Sequence, residues 1–316
     1  MNKKLVSALL VAAMAAVPAT TAFAEGDTLT IGYAPATLNN AFWHAVEDGV
    51  NKAIDELGID VELVEIDANG DQSQMNDGIA NLLSTGVDAL LCAPADSTAV
   101  TSALEQCAEA GVPVINFDTP VDAADLVETI IASDNYNAGY VVGQDVASKI
   151  EDGAKILILH SDRASACVQR KQGFYDALDE SGKEYNVINE LDGQGAQEVS
   201  MNLVADALVG DPDLAVIFAV NDPSAMGAVN AIQQTSVELE NDILVYGVDG
   251  NPDAKVMIEN GEMAGTGAQS PETLGYDSMM AAYNYLNGEE IESEIVVDTF
   301  LITADNVADY GTDGWQ

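Results

Sequence analysis

Short apolar runs alternate with longer amphipathic stretches from residue 29 to residue 286. The runs are rich in β-branched residues. They predict strands over 29–34, 61–67, 89–92, 114–117, 129–132, 155–159, 185–190, 215–220, 243–248 and 265–268. The stretches between them repeat apolar positions every three to four residues and predict helices over 42–57, 72–84, 98–110, 138–150, 169–181, 197–209, 224–234, 252–260 and 273–286. Ile156-Leu157-Ile158-Leu159 and Ala215-Val216-Ile217-Phe218 are apolar throughout. Such runs mark strands covered on both faces, as in parallel sheets. Alternating β and α elements then imply a doubly wound α/β fold. About ten strands exceed one comfortable sheet, so two similar lobes are expected.

One apolar run falls outside this alternation. Lys3 and Lys4 precede an apolar segment at 5–17, and Ala22-Phe23-Ala24 places small residues where a leader peptidase reads them. This is the pattern of a secretory signal peptide over residues 1–24, with Glu25 opening the mature chain. The run is shorter than the roughly 20 residues a membrane helix needs, and no Cys follows the cleavage site to carry a lipid. The expected location is periplasmic or otherwise extracytoplasmic.

Charge narrows the choice of partner. The chain has 10 Lys and Arg against 53 Asp and Glu, a net charge of −43. Such a surface repels phosphate backbones, so no nucleic-acid partner is expected. The acids are dispersed and form no D-x-D-x-D-G loop, so neither a metal nor a cofactor is predicted. Cys92, Cys107 and Cys167 have no C-x-x-C spacing. They read as small buried hydrophobes, with a Cys92–Cys107 bridge left open.

Several predicted strands end in polar clusters: Phe117-Asp118-Thr119, Ala132-Ser133-Asp134-Asn135, Val220-Asn221-Asp222, Val248-Asp249-Gly250 and Ala268-Gln269-Ser270. Open α/β sheets bind ligands outside the carboxyl ends of their strands. Helix capping accounts for Asp222 and Ser97. It accounts less well for the whole set, which repeats over five strands and includes Asn and Gln.

Segments 37–43 (Thr-Leu-Asn-Asn-Ala-Phe-Trp), 131–135 (Ile-Ala-Ser-Asp-Asn), 218–222 (Phe-Ala-Val-Asn-Asp) and 247–250 (Gly-Val-Asp-Gly) together resemble the periplasmic sugar-binding proteins of ABC transporters. The closest likeness is to the ribose-binding branch of the type I periplasmic binding proteins. It runs along nearly the whole chain after the leader. Sugar-responsive gene regulators share the fold but carry a DNA-binding headpiece where this chain has its leader.

The resemblance implies two doubly wound parallel-sheet lobes joined by a hinge, with a ligand cleft between them. The first lobe would comprise 27–132 plus 270–298, and the second 133–269 plus 299–316. It also implies a site. Asn40, Phe42 and Trp43 would come from the first loop and Asp118 from the fourth strand. Arg170 would come from the stretch 167–174, and Asn221, Asp249 and Gln269 from later strand ends, with Ser133 near the hinge. These residue types suit a polyol. Hydroxyls both donate and accept, carboxylates accept, Arg donates, and amides do both. Phe42 and Trp43 would offer flat faces to the C–H side of a sugar ring.

Three positions depart from the ribose-binding pattern. Ala93 stands where an Asn precedes the Pro, Thr119 where a second Arg follows the Asp, and Val248 where an aromatic precedes the later Asp. Because a hydrogen-bonding site discriminates sharply, these changes point to a hexose, another pentose or a polyol in place of ribose.

The implied function is capture of a monosaccharide and its delivery to an ABC permease, by a protein that is a monomer and could also present its ligand to a chemoreceptor. Two other classes stay open. One is a sensor of a non-sugar molecule, such as a furanosyl signal. The other is a secreted carbohydrate-active enzyme using Asp118 and Asp249 as an acid/base pair. The enzyme is disfavoured, since the chain has no nucleophile elbow, phosphate loop or zinc motif. Of the two histidines, His44 reads as a helix-face residue and His160 could edge the cleft.

Overall fold

Two six-stranded sheets carry the chain, and each gathers strands from distant parts of the sequence. The computed structural model describes residues 28–316. The leader read at 1–24 lies outside the described residues. The first half runs β1 (Leu29–Ala34), α1 (Ala41–Leu57), β2 (Val61–Glu65), α2 (Gln72–Thr85), β3 (Ala89–Cys92), α3 (Thr101–Ala110), β4 (Val114–Phe117) and β5 (Thr129–Ser133). The second runs α4 (Asn135–Lys149), β6 (Ala154–His160), α5 (Ser165–Ser181), β7 (Tyr185–Asp192), α6 (Gln197–Gly210), β8 (Val216–Ala219), α7 (Asp222–Gln234), β9 (Leu244–Asp249), α8 (Pro252–Glu259) and β10 (Gly265–Ala268). Then α9 (Pro271–Leu286) and β11 (Glu294–Val297) return to the first sheet, while β12 (Phe300–Thr303) and α10 (Val307–Tyr310) belong to the second.

The sheet orders are β11-β5-β4-β3-β1-β2 and β12-β10-β9-β8-β6-β7. Every pairing is parallel except β10 with β12. The apolar strands β3, β4 and β8 are buried along their whole length, as their sequences predict. Each sheet has an apolar cluster on both faces, so the core is split into four layers. Cys92 and Cys107 lie in one of these clusters as free thiols. No described helix is long and apolar enough to cross a membrane.

The chain crosses between the sheets three times: from β5 to α4, from β10 to α9, and from β11 to β12. The first and third crossings are tied together. The Asp134 amide donates to the Val297 carbonyl (2.8 Å), and the Thr299 hydroxyl donates to the Asp134 carbonyl (2.9 Å). β11 and β12 were not among the predicted strands. They are edge strands with apolar runs, Ile295-Val296-Val297 and Phe300-Leu301-Ile302, but they follow one another with no helix between them and so stand outside the strand–helix alternation.

Two helix starts differ from expectation in ways that bear on the cleft. α5 begins at Ser165, not 169, because Ala164 caps it without any side-chain bond and leaves no capping signal. Arg170 is therefore in the second turn of a helix. The cap of α7 is Asn221, and Asp222, read as a cap, is the first helical residue ahead of Pro223.

Helix pairs in both lobes cross at glycines. A Cβ on Gly139 of α4 would lie 1.8 Å from the Arg170 carbonyl oxygen of α5, and one on Gly173 would lie 2.0 Å from the Tyr136 carbonyl oxygen. In the first lobe Gly49 of α1 and Gly275 of α9 meet backbone at 2.0 and 1.8 Å in the same way. Backbone cannot yield as a side chain can. Gly139→Ala is expected to cost about 2–3 kcal/mol by overpacking and to lower the melting temperature by roughly 5–10 °C. Gly210→Ala, whose Cβ would meet nothing within 4 Å, should be neutral or slightly stabilising. Thermal unfolding of both variants checks the pair.

Candidate ligand-binding site

Between the lobes lies a cavity of about 140 Å³, lined from both sides by loops at the carboxyl ends of the strands. That is roughly ten times the room one water needs, the scale of a small sugar. Of the nine residues expected at the site, Asn40, Phe42, Trp43, Asp118, Arg170, Asn221, Asp249 and Gln269 line this cavity. Ser133 does not. It lines a separate recess with Pro120, Asn135 and Gln169, where its buried hydroxyl has no hydrogen-bond partner.

The first-lobe wall starts at the N-terminus of α1. The Asn40 side chain caps the helix by accepting from the Phe42 amide (3.0 Å). Phe42 and Trp43 follow, buried and edge-to-face with ring centroids 5.2 Å apart. They are at once core and cavity wall, since Trp43 also packs on Phe117 at 6.0 Å. Asp118 leaves the end of β4 with φ 58°, a left-handed backbone uncommon outside glycine. Its Oδ2 accepts from the Thr119 hydroxyl (2.8 Å).

The second-lobe wall is organised by Arg170. Its Nε donates to Asn135 Oδ1 (2.8 Å), and one terminal nitrogen donates to the Val220 carbonyl (2.9 Å) and faces Asp249 Oδ1 at 3.4 Å. Asp249 Oδ1 also accepts from Gln269 Nε2 (2.8 Å). Asp249 itself has φ 143°, followed by Gly250 at φ 78°. Asp222 holds this strained turn by accepting from the Asn251 amide (2.7 Å) and the Thr266 hydroxyl (2.7 Å). Asn221 caps α7 through Ser224 (3.1 Å) and donates to the Gly195 carbonyl (3.0 Å). Gln269 Oε1 is buried without a partner.

Burial pushes the Asp118, Asp222 and Asp249 carboxyls above the ordinary range, against the pull of Arg170 and of the groups that donate to them. Burial likewise pushes the Cys167 thiol up to about 11, which keeps it protonated and unreactive.

Several groups in and around the cavity escaped the sequence reading. Asn135 was visible in the Ser-Asp-Asn cluster, but its partnership with Arg170 was not. Gln194, at φ 56° between Gly193 and Gly195, forms a turn after β7 that repeats the strand-end signal. Ser97, read as a cap, instead bridges the lobes. Its amide donates to the Arg163 carbonyl (3.0 Å), and its hydroxyl accepts from the Ser165 amide (3.0 Å). The Ser165 hydroxyl donates in turn to the Pro120 carbonyl (2.6 Å). Segment 314–316 braces the site from behind. Trp315 meets Phe42 edge-on at 5.7 Å, and Gln316 donates to the carbonyls of Asp249 and Gln269. Of the departures from the ribose-binding pattern, only Thr119 lines the cavity. Ala93 and Val248 are packed in the cores of their lobes.

Residues 31–290 match the family model of the periplasmic binding protein domain. The chain belongs to this family. It is 34% identical over 267 residues to the ribose import binding protein RbsB of Bacillus subtilis, covering 84% of each chain. A galactofuranose binding protein superposes with a TM-score of 0.82 at 21% identity, covering 89% of this chain and 96% of its own. A solute binding protein from Actinobacillus succinogenes with bound D-allose superposes at 0.79 with 25% identity, covering 89% of this chain and all of its own. Among periplasmic binding proteins, this one thus has its polar groups at the strand ends where open α/β sheets hold ligands.

The raised carboxyls make stability depend on pH. A carboxyl with a raised folded pKa holds its proton more tightly in the native state than in the unfolded chain. Stability therefore falls as pH rises from the ordinary Asp value near 3.9 through the raised one. The ligand-free melting temperature should decline across that window, and Asp249→Asn should make the decline shallower. Identical slopes in the two proteins would show that Asp249 ionises without strain.

Proposed function

We propose that the protein is an extracytoplasmic solute-binding protein that captures a monosaccharide in the interlobe cleft and delivers it to an ABC permease. The observation that carries this reading is the cavity's chemistry. Two carboxylates (Asp118 and Asp249), two guanidiniums (Arg163 and Arg170) and four amides (Asn40, Gln194, Asn221 and Gln269) converge there beside two aromatic faces, and all of them line one cavity. Such a mixture satisfies vicinal hydroxyls, and burial makes each charge-assisted bond count. The names of the relatives, which import ribose or hold D-allose, support the same ligand class.

In this reading the moving bodies are 27–132 plus 270–298 and 133–269 plus 299–316, rotating about the three crossings. Closure brings Ser97 against Arg163 and Ser165 and excludes water from the ligand. The closed surface is what a permease, or a chemoreceptor, would recognise. The protein acts as a monomer, reaches its compartment by cleavage of the 1–24 leader, and releases its ligand chemically unchanged.

Thermal unfolding against a panel of monosaccharides and polyols tests the reading. A ligand at 100 times its dissociation constant adds about 2.7 kcal/mol to the native state, a shift of roughly 5–10 °C for a chain of this size. Arg170→Ala should weaken binding by roughly 100-fold while the protein stays folded. Lys171→Ala should leave affinity unchanged, because its ammonium is held by Asp162 and Glu190 away from the cavity. Turnover of any sugar in the panel would favour the enzyme reading instead.

A further inference from the structure

The cavity is not the whole of the open space between the lobes. A groove of about 520 Å³ lies beside it, against about 140 Å³ for the cavity itself. Thr37, Asn40, Gly70, Arg163, Gln194 and Gly195 line both spaces, so the two share one wall. Gly70 comes from the first lobe and Gly195 from the second, and neither puts a side chain between them. Beyond this wall the groove runs along both lobes, to Asn39 and Asn69 on one side and to Gln197, Asn251 and Asp253 on the other.

The hydrogen-bonding groups of the groove are largely unspent. Asn251 is 6% exposed, and its Oδ1 accepts from the Asp253 amide (2.8 Å). That leaves Nδ2 of a nearly buried side chain without a partner among the described residues. Asn69 Oδ1 accepts from Asn39 Nδ2 (2.9 Å), which leaves one donor on Asn69 and one acceptor on Asn39. The chain has two arginines, and both line the cavity. Arg170 is committed to Asn135, Val220 and Asp249. Arg163 borders a further recess with Asp96, Asp162 and Asp192. Among the described residues it nevertheless forms no ion pair. Its guanidinium stands between the two spaces with its donors free.

These groups repeat the mixture found in the cavity. Arg163, Asn69 and Asn251 donate, Asp253 and Asn39 accept, and Pro223 and Met226 add apolar surface. The hydroxyls of a sugar ring use both kinds of polar group, and its C–H faces use the apolar patch. A single ring in the cavity leaves all of them to water. A second ring joined to the first would meet them without parting the lobes, because the groove exists while the Ser97 amide holds the Arg163 carbonyl (3.0 Å).

We propose that this groove is a second sugar subsite and that the ligand is a disaccharide, with one ring in the cavity and the other held by Arg163, Asn251 and Asp253. This inference rests on the solute-binding reading above and narrows its substrate class.

The test is calorimetric titration of the full chain with D-glucose, D-galactose, D-xylose and L-arabinose, and with maltose, cellobiose, lactose, melibiose, xylobiose and arabinobiose. At least one disaccharide should bind about tenfold more tightly than either of its component sugars, the yield of a few added hydrogen bonds of which one is charge-assisted. Gln197→Ala combined with Asp253→Ala should remove most of that gain, and Ala196→Phe should abolish it by filling the groove. None of these three residues lines the cavity, so the variants should hold a monosaccharide within about twofold of the unaltered protein. If monosaccharides bind and no disaccharide binds better, this inference falls and the sugar-binding reading stands. If neither set binds, both fall. A disaccharide preference that survives both the double variant and Ala196→Phe would overturn the assignment to this groove.

Discussion

The buried guanidinium of Arg170 is the interaction on which the cleft depends. It joins the start of α4 through Asn135, the end of β8 through the Val220 carbonyl, and the end of β9 through Asp249. Burying a guanidinium or a carboxylate alone is costly, and a buried pair is tolerated only when its remaining donors and acceptors are also met. Here Nε and one terminal nitrogen are met by groups from separate elements, so those elements have one arrangement that works. The close crossing of α4 on α5 at Gly139 and Gly173 makes this reach feasible, since any larger residue would push Arg170 away from Asn135.

A second constraint follows from the strand ends. Asp118 and Asp249 both occupy positive φ, where a side chain is strained by about 1–3 kcal/mol. Each sits where a strand stops and the backbone turns so that a carboxylate faces the cleft. The rest of the fold supports the strain. Asp222 and Thr266 fasten the turn after β9, and the Asp118 amide is held by the Ile131 carbonyl (2.8 Å). Segment 314–316 closes the back of the same turn.

In the proposed function, binding in such a cleft couples local bonds to closure of the lobes. The lips meet through Ser97, Arg163 and Ser165, and the crossings are linked through Asp134, Val297 and Thr299. A ligand that bridges Asp118 in one lobe and Arg170 and Asp249 in the other favours the closed arrangement because it contacts both walls only when they approach. Closure then removes water, and every polar contact strengthens.

Much of this was legible along the chain. Fully apolar runs such as Ile156-Leu157-Ile158-Leu159 indicated strands buried on both faces, and the alternation of periods indicated parallel sheets. Four of the five strand-end clusters reach the cavity, through Asp118 and Thr119, Asn221, Asp249 and Gln269, because the fold class places strand ends at the ligand. Other features depended on tertiary structure. The start of α5 at Ser165 has no side-chain cap to announce it, and the edge strands β11 and β12 follow one another with no helix between them, outside the strand–helix alternation. Ser97 read as a local cap because its partners lie more than sixty residues away. Ser133 was placed near the hinge by the family resemblance of segment 131–135, yet at the end of β5 it lines another recess. Local patterns record burial and periodicity, which each residue experiences through its own neighbours. The pairing of Arg170 with Asn135 and the backbone contact at Gly139 depend on which distant segments meet. Only packing the lobes together decides that.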